Sequence, residues 1–263
     1  MNETRLEPEK NERLRNLTQT LNAEIRGQPH IIPRVVSVLQ RGELGLCKAG
    51  RPRGSFLFLG PTGVGKTELT QVFTSALFGG EKLLRFDMSE FQTQESLGLL
   101  LGARAGESGF LGSAYSRTKT GTLLFDEVEK AHPRIMDVFL QMPDAARVTI
   151  ATGETLDLSG FYVVMTSNIG SADLMMLQHS AESTLERHVL SRAQQTLRPA
   201  WPIRTNGWEL TTASRSEVSA AAGSALVPAD LILQNNDHWR DQPSSPVSPA
   251  ISSEAVSKEP PLP

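Results

Sequence analysis

The sequence predicts a three-layer α/β fold with a central parallel sheet, and three observations carry that reading. Short apolar runs recur along the front part of the chain. Stretches with helical patterning separate them, as β-α-β crossovers require. A glycine-rich turn stands directly between the first of these runs and the helix that follows it.

From Glu9 to Ile25 the chain is largely polar, with Leu14, Leu17 and Leu21 at helical spacing, which predicts an amphipathic lead-in helix. A second helical pattern covers Ile31 to Arg41, and the Gly and Pro residues of Lys48 to Gly54 then break regular structure. The run SFLFLG begins at Ser55, is bounded by glycine on both sides and reads as a strand buried on both faces. A helix over Lys66 to Phe78 follows the glycine-rich turn. Leu83 to Phe86 and Thr122 to Phe125 are further strands, each followed by an aspartate, and Phe161 to Met165 is another. Helical patterning returns between Ser171 and Leu197, where Leu174, Leu177, Leu185 and Leu190 recur among polar residues.

From Thr205 onward the periodicity fades into Ser, Ala, Pro and isolated charges. Such a segment has too little apolar surface to offset its ordering entropy, so most of it is expected to be disordered. Only Ala225 to Leu233 could form a helix or strand, and Trp208 and Trp239 could dock somewhere. The expected organisation is a helical lead-in over 1–26, a sheet-bearing body over 27–204 and a low-complexity tail over 205–263.

Composition narrows the function classes. At 263 residues, with 39% hydrophobic and 21% charged residues, the chain can bury one full core of a soluble protein. A net charge of -3 without blocks of Lys or Arg argues against nucleic acid as a partner. The single cysteine, Cys47, can form no internal disulfide, so it reads as a bystander thiol in a reducing compartment. The amino terminus lacks the apolar stretch of a signal peptide and no run is long enough to span a membrane, so a cytoplasmic location is expected.

The chemistry begins at Gly60-Pro61-Thr62-Gly63-Val64-Gly65-Lys66-Thr67, which matches the phosphate loop G-x-x-x-x-G-K-S/T in its required place between strand and helix. Glycines there let successive backbone N–H groups converge on phosphates, and the helix adds its positive end. Lys66 is the candidate point charge for the β- and γ-phosphates of ATP, and Thr67 the candidate hydroxyl ligand of Mg2+.

A second motif, Thr122-Leu123-Leu124-Phe125-Asp126-Glu127, is an apolar strand ending in two acids, the form of a Walker B element. Asp126 is the candidate magnesium ligand, through a water, and Glu127 the candidate base that polarises the attacking water. Taken alone, two acids after a strand are a solvated turn. Beside the phosphate loop they complete a metal site.

The phrases GSFLFLGPTGVGKTEL, FDMSEF, LLFDEVEKAHP and VVMTSNIGS together closely resemble the second ATPase domain, of AAA-2 type, of Clp-type protein unfoldases and disaggregases. The likeness covers about 26–199. It implies a P-loop NTPase fold of AAA+ type, so that 27–204 would be the AAA+ large subdomain. It further implies a hexameric ring with ATP at subunit interfaces and polypeptide substrates drawn through a central pore. By the same resemblance Asn168 is the polar sensor that acts with Glu127, and Ile25 and Arg26 lie near the adenine ring. Arg198-Pro199 through Arg204 matches the family's R-P-x-x-x-x-R spacing and makes Arg204 the candidate arginine finger.

The chain departs from the family in three places. Where the family's pore loop reads Gly-Tyr-Val-Gly, this chain has Gly106-Glu107-Ser108-Gly109 followed by Phe110, so the gripping aromatic is displaced or lost. Beyond Pro199 the family's small helical domain is replaced by unrelated sequence, which reads as a carboxy-terminal truncation, a frameshift or a fused tail. With Met1 just before the second-ring module, the amino side is expected to lack the first ring and the substrate-collecting domain.

Two functional readings follow. One is a Clp-type ATPase that remodels proteins after ring assembly. The alternative is a hydrolysis-poor nucleotide-binding fragment or regulatory subunit that co-assembles with a full-length Clp-type ATPase. A DNA-acting relative would need a basic face that the sequence lacks.

Overall fold

The computed structural model describes residues 8–29, 31–172, 188–189, 191–193, 195–197, 208–211 and 231–235. Its framework is a six-stranded sheet in the order β2-β3-β6-β1-β8-β7. Four strands, β1 (Gly54–Leu59), β2 (Leu83–Asp87), β3 (Gly121–Asp126) and β6 (Phe161–Ser167), pair in parallel. Their positions agree with the four apolar runs to within two residues at either end.

Strand alternation sends successive side chains to opposite faces, and both faces are covered. Leu57, Leu59, Leu123, Phe125, Val163 and Met165 join one core with residues of α5 (Gly109–Arg117) and α6 (Pro133–Ala145). Phe56, Phe58, Leu124, Tyr162 and Val164 join the other with α1 (Pro8–Glu24), α2 (Ile32–Glu43) and α3 (Lys66–Phe78). The result is the predicted three-layer arrangement of helices, sheet and helices. Strand β3 is buried at all six positions and β6 at all seven, which explains why neither shows a polar alternation in sequence.

The sheet is not purely parallel. Strand β8 (Leu231–Asn235) runs antiparallel beside β1, and β7 (Trp208–Thr211) antiparallel beside β8. Both belong to the segment for which the sequence predicted mostly disorder, so the tail contributes two strands; the remainder of 205–263 lies outside the described residues. A small hairpin of β4 (Arg147–Thr149) and β5 (Thr155–Asp157) was also not foreseen. Each of its strands is three residues long, too short for a period-two pattern to register. The helical patterning between Ser171 and Leu197 is met by helical backbone at residues 171–172, 188–189, 191–193 and 195–196, and Val189, Ala193 and Leu197 are buried. Leu174, Leu177, Leu185 and Leu190 lie outside the described residues.

At the end of the sheet where β1 and β6 begin, an ionised network ties α1 and α2 to the sheet. The buried carboxylate of Glu43 receives Arg53 Nη1 at 2.6 Å and Lys10 Nζ at 2.7 Å. The hydroxyl of fully buried Tyr162 lies 3.1 Å from Glu43 Oε1 and 2.8 Å from the Leu39 carbonyl to which it donates. Cys47 donates to the Arg53 carbonyl at 2.9 Å, and burial pushes its thiol pKa up, which makes it a poor nucleophile. No helix among the described residues is long and apolar enough to cross a membrane.

Candidate functional site

The chemistry collects at the opposite end of the sheet, where β1, β3 and β6 finish together because their parallel register aligns their carboxyl ends. Strand β1 runs into Gly60, whose N–H still bonds the Ser167 carbonyl of β6 at 3.2 Å. The loop then turns into α3 through Gly65, held at φ +97°, a conformation that costs side-chain-bearing residues dearly. A Cβ at Gly63 or Gly65 would meet nothing within 4 Å, so the concave side of the loop is open. The first N–H groups of α3 point into it.

Lys66 Nζ lies against its own loop, donating to the carbonyls of Gly60 and Pro61 at 2.7 Å each and to Asn168 Oδ1 at 3.1 Å. Thr67 Oγ1 is 3.2 Å from Asp126 Oδ2, so the hydroxyl and the carboxylate that a magnesium ion would share already adjoin. Asp126 is nearly buried. Its Oδ1 takes a short hydrogen bond from Thr166, and its Oδ2 receives Arg85 Nη2 at 2.6 Å.

Glu127 adopts φ +56°, a left-handed backbone that is strained for a residue with a side chain. Its N–H donates to Thr166 Oγ1 at 3.0 Å, so one buried hydroxyl fixes both acids. The kink turns the Glu127 carboxylate toward Asn168, whose Nδ2 donates to Oε1 at 2.9 Å, while Lys130 Nζ donates to Oε2 at 2.5 Å. That hydrogen bond raises the Lys130 ammonium above the ordinary lysine range. The Asn168 N–H in turn donates to Glu129 Oε1 at 3.0 Å. Asn168 thus spans the phosphate-loop lysine and the candidate base with its two amide atoms. A cleft of about 520 Å³ is lined by Thr62, Gly63, Gly65, Lys66, Thr67, Asp126, Glu127 and Asn168, with Arg85 and Asp87 on its far wall. The Asp87 carboxyl is held below the ordinary aspartate range by hydrogen bonds from the Ser89 side chain and N–H.

On the other side of the loop, a small pocket is lined by Ile25, Ile31, Ile32, Phe58, Val64 and Leu69, with Gln28 and Lys66 the polar residues on its wall. Arg26 is exposed and is not among the lining residues. The donor set as a whole fits a nucleoside triphosphate with magnesium: an open loop of N–H groups, one lysine, one hydroxyl, one carboxylate and an apolar slot. Among the described residues no cluster of three or more His, Cys, Asp or Glu forms a metal cage.

A family model described as an AAA domain of the Cdc48 subfamily matches residues 51–205, more than half of the chain, including the phosphate loop, both acids and Asn168. The chain belongs to that family.

This AAA domain is 42% identical over 196 residues to Heat shock protein 100 of Trypanosoma brucei brucei, which covers 72% of this chain and 23% of that protein. It is 41% identical over 201 residues to the chaperone protein ClpB of Aquifex aeolicus (strain VF5), covering 74% of this chain and 20% of ClpB. The chain therefore spans about a fifth of the length of these curated relatives. Among solved structures it matches a closed-state cryo-EM reconstruction of Hsp104 with ATPγS and FITC-casein. The TM-score is 0.69 at 35% identity, over 75% of this chain and 35% of that one. The S. cerevisiae Hsp104–ADP complex matches with a TM-score of 0.65 at 36% identity, over 74% of this chain and 35% of that one. The Clp-type resemblance read from the motifs is thereby shown.

In this AAA domain the loop between α4 (Ser96–Leu101) and α5 holds Gly106, Glu107 and Ser108, and Gly109 opens α5. The Glu107 carboxylate folds back, and its Oε2 accepts from the N–H groups of Ala103 at 3.1 Å and Arg104 at 3.2 Å. Glu107 therefore closes its own loop. Phe110, in the first turn of α5, is 55% exposed and meets Phe91 edge-on at 6.2 Å. Gly109 sits at φ +60°, and a Cβ there would lie 2.4 Å from the Gly102 nitrogen and 2.5 Å from the Leu100 carbonyl. Gly109→Ala is expected to cost about 2 kcal/mol and loosen this loop, readable as a lower melting temperature and new proteolytic cleavage near residue 106.

Arg204 lies outside the described residues. Four functional side chains were missed by sequence reasoning: Arg85, Thr166, Lys130 and Glu129. Thr166 carried a usable signal, since a hydroxyl interrupts the apolar β6 one residue after Met165, the register partner of Phe125, which places it beside Asp126. Arg85 carried none, because an exposed arginine on an edge strand is ordinary.

Proposed function

We propose that this AAA domain binds ATP with magnesium and hydrolyses it, and that turnover in a ring drives remodelling of polypeptide substrates in the cytoplasm. The observation that carries this reading is Asn168, which stands 3.1 Å from Lys66 Nζ and 2.9 Å from Glu127 Oε1. One side chain can thereby register the γ-phosphate position against the base.

In this mechanism the loop N–H groups and Lys66 hold the β- and γ-phosphates, while Ile25 and its apolar neighbours hold the adenine. Thr67 and Asp126 hold the magnesium, which when bound neutralises charge on the phosphates and orients them. Glu127, aimed by its left-handed backbone and Asn168, accepts the proton of the attacking water. Arg204 is retained as the candidate finger for a neighbouring subunit's γ-phosphate. Phe110 is the candidate gripping aromatic, because it is exposed where Glu107 is tied inward. Relatives named as chaperones, and the Hsp104 structure with casein, support polypeptides as the substrate class.

A specific observation favours the second reading, a nucleotide-binding subunit with little turnover. Both Glu127 oxygens are engaged, one by Asn168 and one by Lys130. ATP hydrolysis measured across a protein concentration series, with light scattering in a slowly hydrolysed ATP analogue, separates the two. Turnover per subunit that rises with concentration alongside a ring-sized species is expected. Tight nucleotide binding by a monomer, without turnover at any concentration, would leave only the second.

A further inference from the structure

We infer that Arg85 is a counter-ion that competes with magnesium for Asp126, so that it sets the concentration of Mg2+ at which nucleotide is held. The inference rests on the nucleotide reading of the site.

The strand register puts Arg85 on β2 opposite Leu124, two residues before Asp126 at the end of β3. From there its guanidinium crosses to Asp126, with Nη2 2.6 Å from Oδ2. The two carboxylate oxygens are not equivalent. Oδ1 is bound to the buried Thr166 hydroxyl that also fixes Glu127, so it belongs to the scaffold. Thr67 Oγ1 lies 3.2 Å from Oδ2 and 3.4 Å from Oδ1, and with Oδ1 taken by Thr166, Oδ2 is the oxygen left for a hydrated cation. Arg85 therefore holds the oxygen that the magnesium shell needs. Two cations on one carboxylate oxygen repel, so the occupancy of one opposes the other.

The guanidinium also has somewhere to go. Its side chain is half exposed, whereas that of Asp126 is 10% exposed. Arg85 forms part of the wall between the phosphate cleft and an adjoining groove of about 450 Å³. Glu90 lines that groove with Phe91 and Phe110, and offers the displaced charge an acid. A rotation of a flexible side chain, with no backbone movement, is enough to exchange one state for the other.

An orienting role would have the opposite sign. If Arg85 held Asp126 in the geometry magnesium requires, its removal would weaken the metal; if it competes, removal strengthens the metal. The test is the Mg2+ half-saturation for binding of a fluorescent ADP, in the full chain and in Arg85→Gln. The competitor predicts a half-saturation lower by about fivefold to tenfold in Arg85→Gln. Arg85→Lys, which keeps a cation but loses the fork geometry, should fall between the two. In an Asp126→Asn background the same Arg85→Gln change should have no effect. A half-saturation that is unchanged or higher in both Arg85 variants overturns the inference while leaving the nucleotide reading intact. Absence of ADP binding at every Mg2+ concentration in the unsubstituted chain would sink both.

Discussion

Glu127→Gln is expected to lower ATP turnover by about 10²-fold to 10⁴-fold while nucleotide binding persists. The side chain keeps its size and can still accept from Asn168 Nδ2, so the bridge to Lys66 survives. The backbone at φ +56° is fixed by the N–H bond to Thr166, which the substitution does not touch. What is lost is the charge that accepts a proton, together with the 2.5 Å ion pair to Lys130. That pair is largely exposed on the lysine side, so its loss should barely move stability. Turnover and equilibrium nucleotide binding measured on the same preparation check the split. A variant that hydrolyses within threefold of the unsubstituted chain would remove Glu127 from the mechanism; loss of binding together with turnover would show a structural role instead.

The second large effect is on stability and sits at the far end of the sheet. Glu43→Ala is expected to cost about 3 kcal/mol, because it strips a buried carboxylate from two cations and leaves the Tyr162 hydroxyl with the Leu39 carbonyl alone. Partial exposure of Lys10 and Arg53 keeps the loss at the low end for a broken buried ion pair. Burial works to raise the Glu43 pKa, but the hydrogen bond from Lys10 and the charge and hydrogen bond of Arg53 outweigh it. The carboxyl therefore lies below the ordinary value of 4.5. A folded-state pKa depressed in this way adds stability that is fully present above the unfolded value and is lost as pH falls through the folded one. Urea unfolding at pH 7 should show the full deficit of Glu43→Ala. A series from about pH 5 downward should show the unsubstituted chain losing its advantage and the two curves converging. Parallel curves over that range would mean that Glu43 does not stabilise the fold through its charge.

The parallel strands and α3 were legible because their signals are local: an apolar run, a glycine-rich turn, a helix start at Lys66. Gly60 to Thr67, Asp126 and Glu127 were legible for the same reason, since phosphate loop and acid pair each occupy a few consecutive residues. The couplings were not. Thr166 acts on Asp126, and Arg85 on Asp126, only through strand pairing; the hydroxyl inside an apolar strand hinted at the first, and nothing near Arg85 in sequence announces the second. The role of Asn168 came from family resemblance, whereas its position between Lys66 and Glu127 comes from β6 lying between β1 and β3. Ala225 to Leu233 was left open as helix or strand and β8 overlaps it, but its pairing and β7 were not foreseen, because β8 draws its partner from β1, far upstream, and composition speaks only to whether a segment can form a core alone.

The attachment of β8 to β1 has a consequence for how the phosphate loop comes into being. Strand β1 feeds directly into Gly60, and with β8 in place it is an interior strand with neighbours on both sides. During synthesis β1 emerges long before Leu231 exists, so until then it can pair only with β6 and its other edge is open to any extended chain nearby. Long-range pairings of this kind close slowly. Strand β8 therefore arrives after β1 and β6, and with it the second edge of the strand that leads into Gly60 passes from open to occupied.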